Sequence, residues 1–437
     1  MVQAVFANKG ELHMNIKLQN TAKIIEADIG LDGISVISGL NNTGKSTILK
    51  TIYMTINLYR NATSKIMKER KRSLQNIVRN NESYFDEKGY DYLPTNLLIE
   101  LSSVLCDSIN ALAEQEDCYE SLKKLFHQVL AHYAERVENK YIYSDEFLLP
   151  IYDKVKEVIK RPKEDYLKYI GDMYLRNNFH NQVNCLQNKN KAYIEISSSY
   201  GNNHISILDN KIAEMSYSSI NEPDAIYLPA LNTLDFINRS VFFRGNISYS
   251  PDYDLKKYIL SEMDEDLTFE DYSEINENVN IIKEIINEVV HGKLETNDNG
   301  VILFKDNELE DDIDLGNIAS GMKNFLIIQK LVQNGSLKKN SVLLIDEPET
   351  NLHPEWHLKF AEILVLMYKN MGVKAVVNSH SPYFIRALEV KMADHGIKSQ
   401  AKYYMMQEME KNRFVSKDVS GETNKIYEKL YQPLEYL

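Results

Sequence analysis

Cysteine is scarce. The 437 residues include only Cys106, Cys118 and Cys185, widely spaced and without a CxxC pair. That excludes a disulfide framework and a zinc knuckle. Long apolar runs are missing too. The most apolar stretch, FAEILVLMY at Phe360–Tyr368, is about half the ~20 residues a spanning helix needs, and it contains Glu362. The N-terminus, MVQAVFANKGELHMNIK, has no apolar core of signal-peptide length and no small-residue cleavage site. Internal repeats and low-complexity linkers are absent from the sequence as well. Together these absences predict a cytoplasmic protein with no membrane partner. Core-forming residues are plentiful: 43% hydrophobic and 10% aromatic, which excludes a disordered chain.

Charge is skewed toward acid. Fifty Lys and Arg stand against 63 Asp and Glu, for a net charge of −13. Repulsion from phosphate therefore argues against nucleic-acid binding over the whole surface, while leaving room for a local basic track. At ~100–200 residues per domain, the length predicts two to four domains or lobes.

Patterning divides the chain into three stretches. Residues 1–57 read as strands, then the loop GLNNTGKST, then a helix, STILKTIYMTINLYR. Residues 58–190 read as a helical insertion. Leu122, Leu125, Phe126, Val129, Leu130, Tyr133 and Val137 recur at helical spacing there, and a break is expected near Pro162. Residues 191–437 begin as strands, with GNN at 201–203 expected to be a hairpin turn. From Gly316 onward helices and strands alternate: NFLIIQKLVQ, SVLLID, WHLKFAEILVLMYK, VKAVVNSH, YFIRALE, AKYYMM. Such alternation predicts an α/β fold with a mainly parallel sheet, here with an antiparallel N-terminal part and a helical insertion.

Four motifs carry chemistry. Gly39-Leu-Asn-Asn-Thr-Gly44-Lys45-Ser46 fits GxxxxGK[ST] in full. Glycines let successive backbone N–H groups face phosphate oxygens, and the following helix adds its positive end. Lys45 is placed for the β- and γ-phosphates, and Ser46 for Mg²⁺. The nucleotide-binding set is then Gly39, Asn41, Asn42, Thr43, Gly44, Lys45, Ser46 and Thr47. The second motif is SVLLIDEP at 341–348. A buried strand delivers Asp346 to its C-terminal end as a second Mg²⁺ ligand. Glu347 follows, placed to deprotonate the attacking water. The third is VKAVVNSH, which ends another strand at Ser379-His380 and offers His380 as a γ-phosphate sensor. The fourth is Ser320-Gly321, opening a helix 26 residues before Asp346.

Together these motifs resemble the ATP-binding-cassette ATPases, in the branch of OLD, RecF and SMC proteins. GLNNTGKS matches Walker A, LLIDEP matches Walker B with its glutamate, and ETNLHP continues as a D-loop. NSH matches the switch histidine, and IASGMK sits at the signature. The likeness covers roughly 1–57 and 191–410. It implies an ATP-dependent, head-to-tail homodimer with ATP and Mg²⁺ sandwiched between subunits. Ser320 and Gly321 then act in trans, Glu347 as general base and His380 as sensor. One departure stands out: the signature serine is Ala319, and a serine follows one position later. A Q-loop glutamine is not assigned.

The OLD nucleases fuse such an ATPase to a Toprim nuclease. After His380, 57 residues follow with no DxD pair, so the expectation is an ATPase without that nuclease. It then resembles the ATPase subunits of anti-phage systems such as Septu, PARIS and some retrons, in which a separate effector, a nuclease or toxin, is the partner. The alternative is a RecF- or SMC-like repair ATPase that binds duplex DNA. Arg60–Arg79 carries seven basic residues against Glu69 and is the candidate phosphate track. Two acidic clusters, 262–274 and 306–314, read as solvated loops.

Overall fold

The computed structural model of the chain describes residues 13–80, 95–115, 117–137, 145–188, 190–199, 201–218, 223–230, 234–238, 249–262, 277 and 280–432. Of the first acidic cluster only Glu262 lies within these residues. By compactness the chain forms two units, Met1–Arg60 with Ile170–Leu437, and Asn61–Tyr169.

The first unit carries fourteen strands among the described residues. β1 (Met14–Thr21), β2 (Ile24–Gly30) and β3 (Ile34–Ser38) come first. β4 (Ala192–Ser198), β5 (Gly201–Leu208), β6 (Lys211–Met215) and β7 (Ala225–Leu228) follow. Then come β8 (Gly292–Thr296), β9 (Ile302–Asp306) and β10 (Ile313–Asp314), which make a small antiparallel sheet. β11 (Val342–Asp346), β12 (Lys374–Ser379), β13 (Ala401–Glu410) and β14 (Arg413–Asp418) complete the set. The main sheet has eleven strands in the order β6-β5-β4-β1-β2-β14-β13-β3-β12-β11-β7. From β6 to β2 it is antiparallel; from β13 through β3, β12 and β11 to β7 it is parallel.

The two halves differ because their faces differ. Every residue of β3, β11 and β12 is buried, and their centres are mostly apolar, as in parallel strands covered on both sides, while Asp346, Asn378 and Ser379 stand at the C-terminal ends. β1 has its core residues Met14, Ile16 and Leu18 in alternation with Asn15, Lys17 and Gln19. GNN is not a turn. Ser198 pairs with Gly201, so the reversal falls between them and 201–203 lies inside β5. The ladder takes in all three residues of the GNN segment.

Helix ends follow capping chemistry. α1 (Lys45–Tyr59) starts after Gly44, whose φ of 94° is a left-handed turn that glycine adopts freely. Toward the C-terminus come α9 (Ser320–Gln333), α10 (Pro354–Met371) and α11 (Pro382–Asp394). α10 and α11 open on proline, and Ser381 Oγ accepts from Phe384 N at 3.3 Å. Gly372 closes α10 at φ 66°. Between these helices and the sheet, the ring of Phe360 meets Phe325 edge-on at 5.3 Å and Phe384 at 6.3 Å, all three fully buried.

The connection from β3 to β4 carries α2 (Ala62–Asn80), α3 (Thr95–Glu114), α4 (Tyr119–Val137), α5 (Asp145–Lys160) and α6 (Lys163–Phe179). Between β7 and β8 lie α7 (Leu234–Ile237) and α8 (Pro251–Leu260). The second unit spans Asn61–Tyr169 and has its own core, including Leu74, Leu101, Leu105, Leu122, Phe126, Tyr152 and Val155. The stretch 170–190, which patterning assigns to the insertion, counts with the first unit instead. Two members of the basic run point inward. Arg60 pairs with Asp224 within the first unit, and Arg70, 6% exposed, donates to Arg161 O and covers the Tyr166 ring. No helix of the described residues is long and apolar enough to cross a membrane.

Phe360→Ala removes the shared ring of three fully buried phenylalanines. Destabilisation of about 3–5 kcal/mol is expected for such a truncation. Urea denaturation followed by tryptophan fluorescence reports it through Trp356, whose ring packs on Phe325.

Candidate active site

Strand register builds the site. Asp346 pairs with Asn378, and Ser379 pairs with Ser38. The C-terminal ends of β3, β12 and β11 therefore lie side by side, where open parallel sheets place ligands. The loop 39–44 leaves β3 and turns into α1. Gly39 has φ 154°, and a Cβ there would stand 2.9 Å from Met406 Cβ. At Gly44 a Cβ would meet Ile24 Cδ1 at 2.5 Å. Leu40, Asn41 and Asn42 form the exposed lip. Asn42 takes a left-handed φ of 66°, and Lys23 Nζ donates to its Oδ1 at 2.7 Å. Thr43 Oγ1 donates to Leu40 O at 2.9 Å and tightens the loop from within. Thr47, half-buried, accepts through its carbonyl from Thr51 Oγ1.

Lys45 is 4% exposed, and its Nζ donates to Gly39 O and Leu40 O, both at 2.9 Å. The ammonium thus sits under the loop that its motif predicts will hold phosphate. Burial lowers its pKa, against the opposing pull of Glu347, Asp346 and Glu349. Ser46 Oγ donates to Asp346 Oδ1 at 3.1 Å, across 300 residues of sequence. A hydroxyl and a carboxylate are the hard oxygen donors that Mg²⁺ prefers, so these residues fit that ion. Among the described residues no group of three or more His, Cys, Asp and Glu could hold a metal. Two protein oxygens are few for Mg²⁺, which is ordinarily completed by substrate phosphates and water.

The strand end after Asp346 is bent. Glu347 has φ 50°, left-handed for a non-glycine residue, and its N–H donates to Asn378 O at 3.1 Å and Asn378 Oδ1 at 2.9 Å. Such a conformation costs of order 1–3 kcal/mol and persists only where the surroundings hold it. The bend sends the Glu347 carboxylate to His380, with Oε1 3.4 Å from Nδ1.

Glu349 was not visible as a site residue from the motifs. It is 8% exposed, and its Oε1 accepts from Ser379 Oγ at 2.8 Å, His380 N at 3.0 Å and Ser381 N at 3.2 Å. The same oxygen lies 3.4 Å from His380 Nδ1. One buried carboxylate therefore ties the histidine turn to the turn after β11. Burial raises its pKa despite these donors. A second residue missed by motif reading is Tyr227 of β7. Its hydroxyl donates to Asp346 Oδ2 at 2.8 Å, and burial beside Asp346 raises its pKa well above the usual phenol range. Glu349 opens the ETNLHP segment, whose resemblance gives it no site role, and Tyr227 lies outside any named motif; only the spacing of Glu349 two residues after Glu347 could have signalled the first.

Lys45, Ser46, Asp346, Glu347 and His380 converge. Ser320 and Gly321 do not join them: no hydrogen bond or ion pair among the described residues links either to residues 39–47. They open α9, where Ala319 at the N-cap supplies no side-chain hydrogen bond. Gly321 is held against the Asn351 carbonyl, which a Cβ would approach to 2.5 Å.

A family model for the AAA ATPase domain matches residues 14–385. The chain belongs to that family. No curated protein matches it. Among solved structures, the SMC head domain from Thermotoga maritima is 12% identical, covering 94% of this chain and 99% of that one, with a TM-score of 0.36. An SMC head bound to the C-terminal winged-helix domain of ScpA is 11% identical over 94% and 99%, at 0.39. A further SMC head, with an extended coiled coil and bound to the C-terminal domain of ScpA derived from Pyrococcus furiosus, is 9% identical over 97% and 100%, at 0.37. For this AAA ATPase domain the α/β fold and the nucleotide loop agree with the family match.

Two outcomes test the site. Lys45→Ala should abolish nucleotide binding, read by fluorescence of a labelled ATP analogue. The second concerns Glu349. Its folded pKa lies above the unfolded value near 4.5, so its favourable contribution is complete below 4.5 and is lost as pH rises through the folded pKa. The stability of wild type relative to Glu349→Gln should fall as pH rises from about 4.5, measured by urea denaturation of both proteins across pH 4–8; a flat difference contradicts the assignment.

Proposed function

We propose that this chain binds ATP with Mg²⁺ and hydrolyses it slowly or under control, and that the nucleotide cycle switches a self-associated assembly. In this reading the assembly holds and releases a separate effector, a nuclease or toxin, in anti-phage defence. The observation that carries the ATPase part is the convergence of Lys45, Ser46, Asp346, Glu347 and His380 at the ends of three parallel strands.

Each group has a role that its position supports. The loop amides and Lys45 hold the phosphates and offset their charge. Ser46 and Asp346 hold Mg²⁺, which neutralises charge on the transferred phosphoryl group when bound. Glu347, partly exposed beside His380, takes the proton of the attacking water. His380 donates toward the γ-phosphate, steadied from behind by Glu349. Ser320 and Gly321, apart from the loop in their own chain, serve a second copy in a head-to-tail dimer, with Ser320 in place of the hydroxyl that Ala319 lacks. The defence setting rests on the sequence resemblance. Duplex-DNA binding through Arg60–Arg79 has less support, because Arg60 and Arg70 are engaged internally.

Glu347→Gln is the informative variant. Loss of a general base is expected to cost roughly 10²–10⁴ in turnover, while ATP binding persists and light scattering reports an ATP-bound dimer. Turnover at the wild-type rate would remove Glu347 from its role. The same variant, purified from its native host, should retain an effector protein, and deleting its gene should raise phage plating. If no partner is retained and plating is unchanged, the defence reading fails. DNA binding with a steep salt dependence would favour the repair reading instead.

A further inference from the structure

The two oxygens of Asp346 face different partners. Oδ1 lies 3.1 Å from Ser46 Oγ, and Oδ2 accepts from the Tyr227 hydroxyl at 2.8 Å. The sheet explains why Tyr227 reaches it. β7 runs parallel to β11 with Tyr227 opposite Leu344. Leu344 and Asp346 are two residues apart and share a face, so a long side chain at Tyr227 extends diagonally to the carboxylate. The tyrosine is 3% exposed and has little freedom to turn away. Tyr53 of α1 backs its ring, with centroids 6.1 Å apart and planes at 57°. The Tyr53 hydroxyl is itself anchored on Asp254 at 2.5 Å. Tyr53 lies two turns beyond Ser46 on α1, so one helix supplies the group beside Oδ1 and supports the group that holds Oδ2.

An unrestrained carboxylate rotates about its terminal bond and offers either oxygen, or both. Here one is engaged by a buried donor, which leaves the other turned toward Ser46. The geometry points to Tyr227 as a positioning residue for the metal site: its hydroxyl fixes the Asp346 carboxylate so that Oδ1, beside Ser46, is the oxygen presented to Mg²⁺. This inference rests on the Mg²⁺–ATP reading above and adds a residue outside its motifs. Mg²⁺ tolerates little departure from octahedral geometry, so the orientation of a ligand matters more than for larger cations. Partners that orient a metal ligand typically carry about 10–100-fold in metal affinity.

Tyr227→Phe keeps the ring and deletes the donor. Mn²⁺, which is paramagnetic, replaces Mg²⁺ as the probe, and its binding to the ADP-loaded protein is measured by electron paramagnetic resonance. Binding of ADP in EDTA is measured in parallel. The expected result is Mn²⁺ affinity lowered about 10–100-fold and a changed Mn²⁺ spectrum, with metal-free ADP affinity within twofold of wild type. In an Asp346→Asn background the Phe substitution should add no further loss, since the tyrosine acts through that carboxylate. Mn²⁺ affinity within twofold of wild type, or an equal loss in the Asn background, overturns the assignment. Should Tyr227→Phe not retain ADP, Tyr53→Leu decides: it spares the hydroxyl but removes its backing, and should weaken Mn²⁺ at least threefold, an unchanged affinity overturning the assignment. If wild type binds nucleotide no more tightly with Mn²⁺ than without, the ATPase reading itself falls.

Discussion

The register of two parallel ladders, β11 on β12 and β12 on β3, is the constraint from which the site follows. Parallel pairing sends three chain segments in one direction and ends them at one edge. Asp346 opposite Asn378, and Ser379 opposite Ser38, place the nucleotide loop, the acidic pair and the histidine turn abreast. A slip of one residue would turn Asp346 to the other face and break its contact with Ser46. Every residue of each strand is buried, so any shift would take each side chain from the neighbours it packs against.

Around that edge the structure concentrates unfavourable electrostatics. Lys45 is buried under its own loop, Glu349 is buried behind the histidine turn, and Tyr227 is buried against Asp346. Each is made tolerable by hydrogen bonds, Lys45 to two carbonyls, Glu349 from a hydroxyl and two backbone amides, and Tyr227 to the Asp346 carboxylate, and each has its pKa displaced by the loss of water. Displaced groups of this kind gather at functional sites. The left-handed Glu347 belongs to the same pattern: a local cost, held by two hydrogen bonds to Asn378, that aims a carboxylate at His380.

The positive and acidic tracts take on different weights in three dimensions. The basic run looks like a surface in one dimension, yet Arg60 neutralises Asp224 and Arg70 stacks on Tyr166 inside the helical unit. Such arginines contribute to packing through their planar heads as much as through charge. The net charge of −13 therefore describes a molecule whose cations are partly committed to its interior.

Much of the site was legible in one dimension. GLNNTGKS, LLIDEP and VVNSH announce themselves because glycine spacing and apolar runs ending in Asp or His are local patterns with local causes. The order of strands and helices after Gly316 was legible for the same reason. What the sequence alone could not place depends on contacts between distant residues. The GNN segment read as a turn because glycine and asparagine favour turns locally, but pairing with β4 absorbed it into β5. Glu349 looked like part of a loop until burial gave it three donors from another strand end. Tyr227 sits 119 residues from Asp346, and nothing in its neighbourhood in sequence marks it. The amino-acid sequence determined which residues form the glycine loop and the two strand-end motifs; the tertiary structure decided which others hold them in place, because orientation is set by neighbours that only the folded sheet brings together.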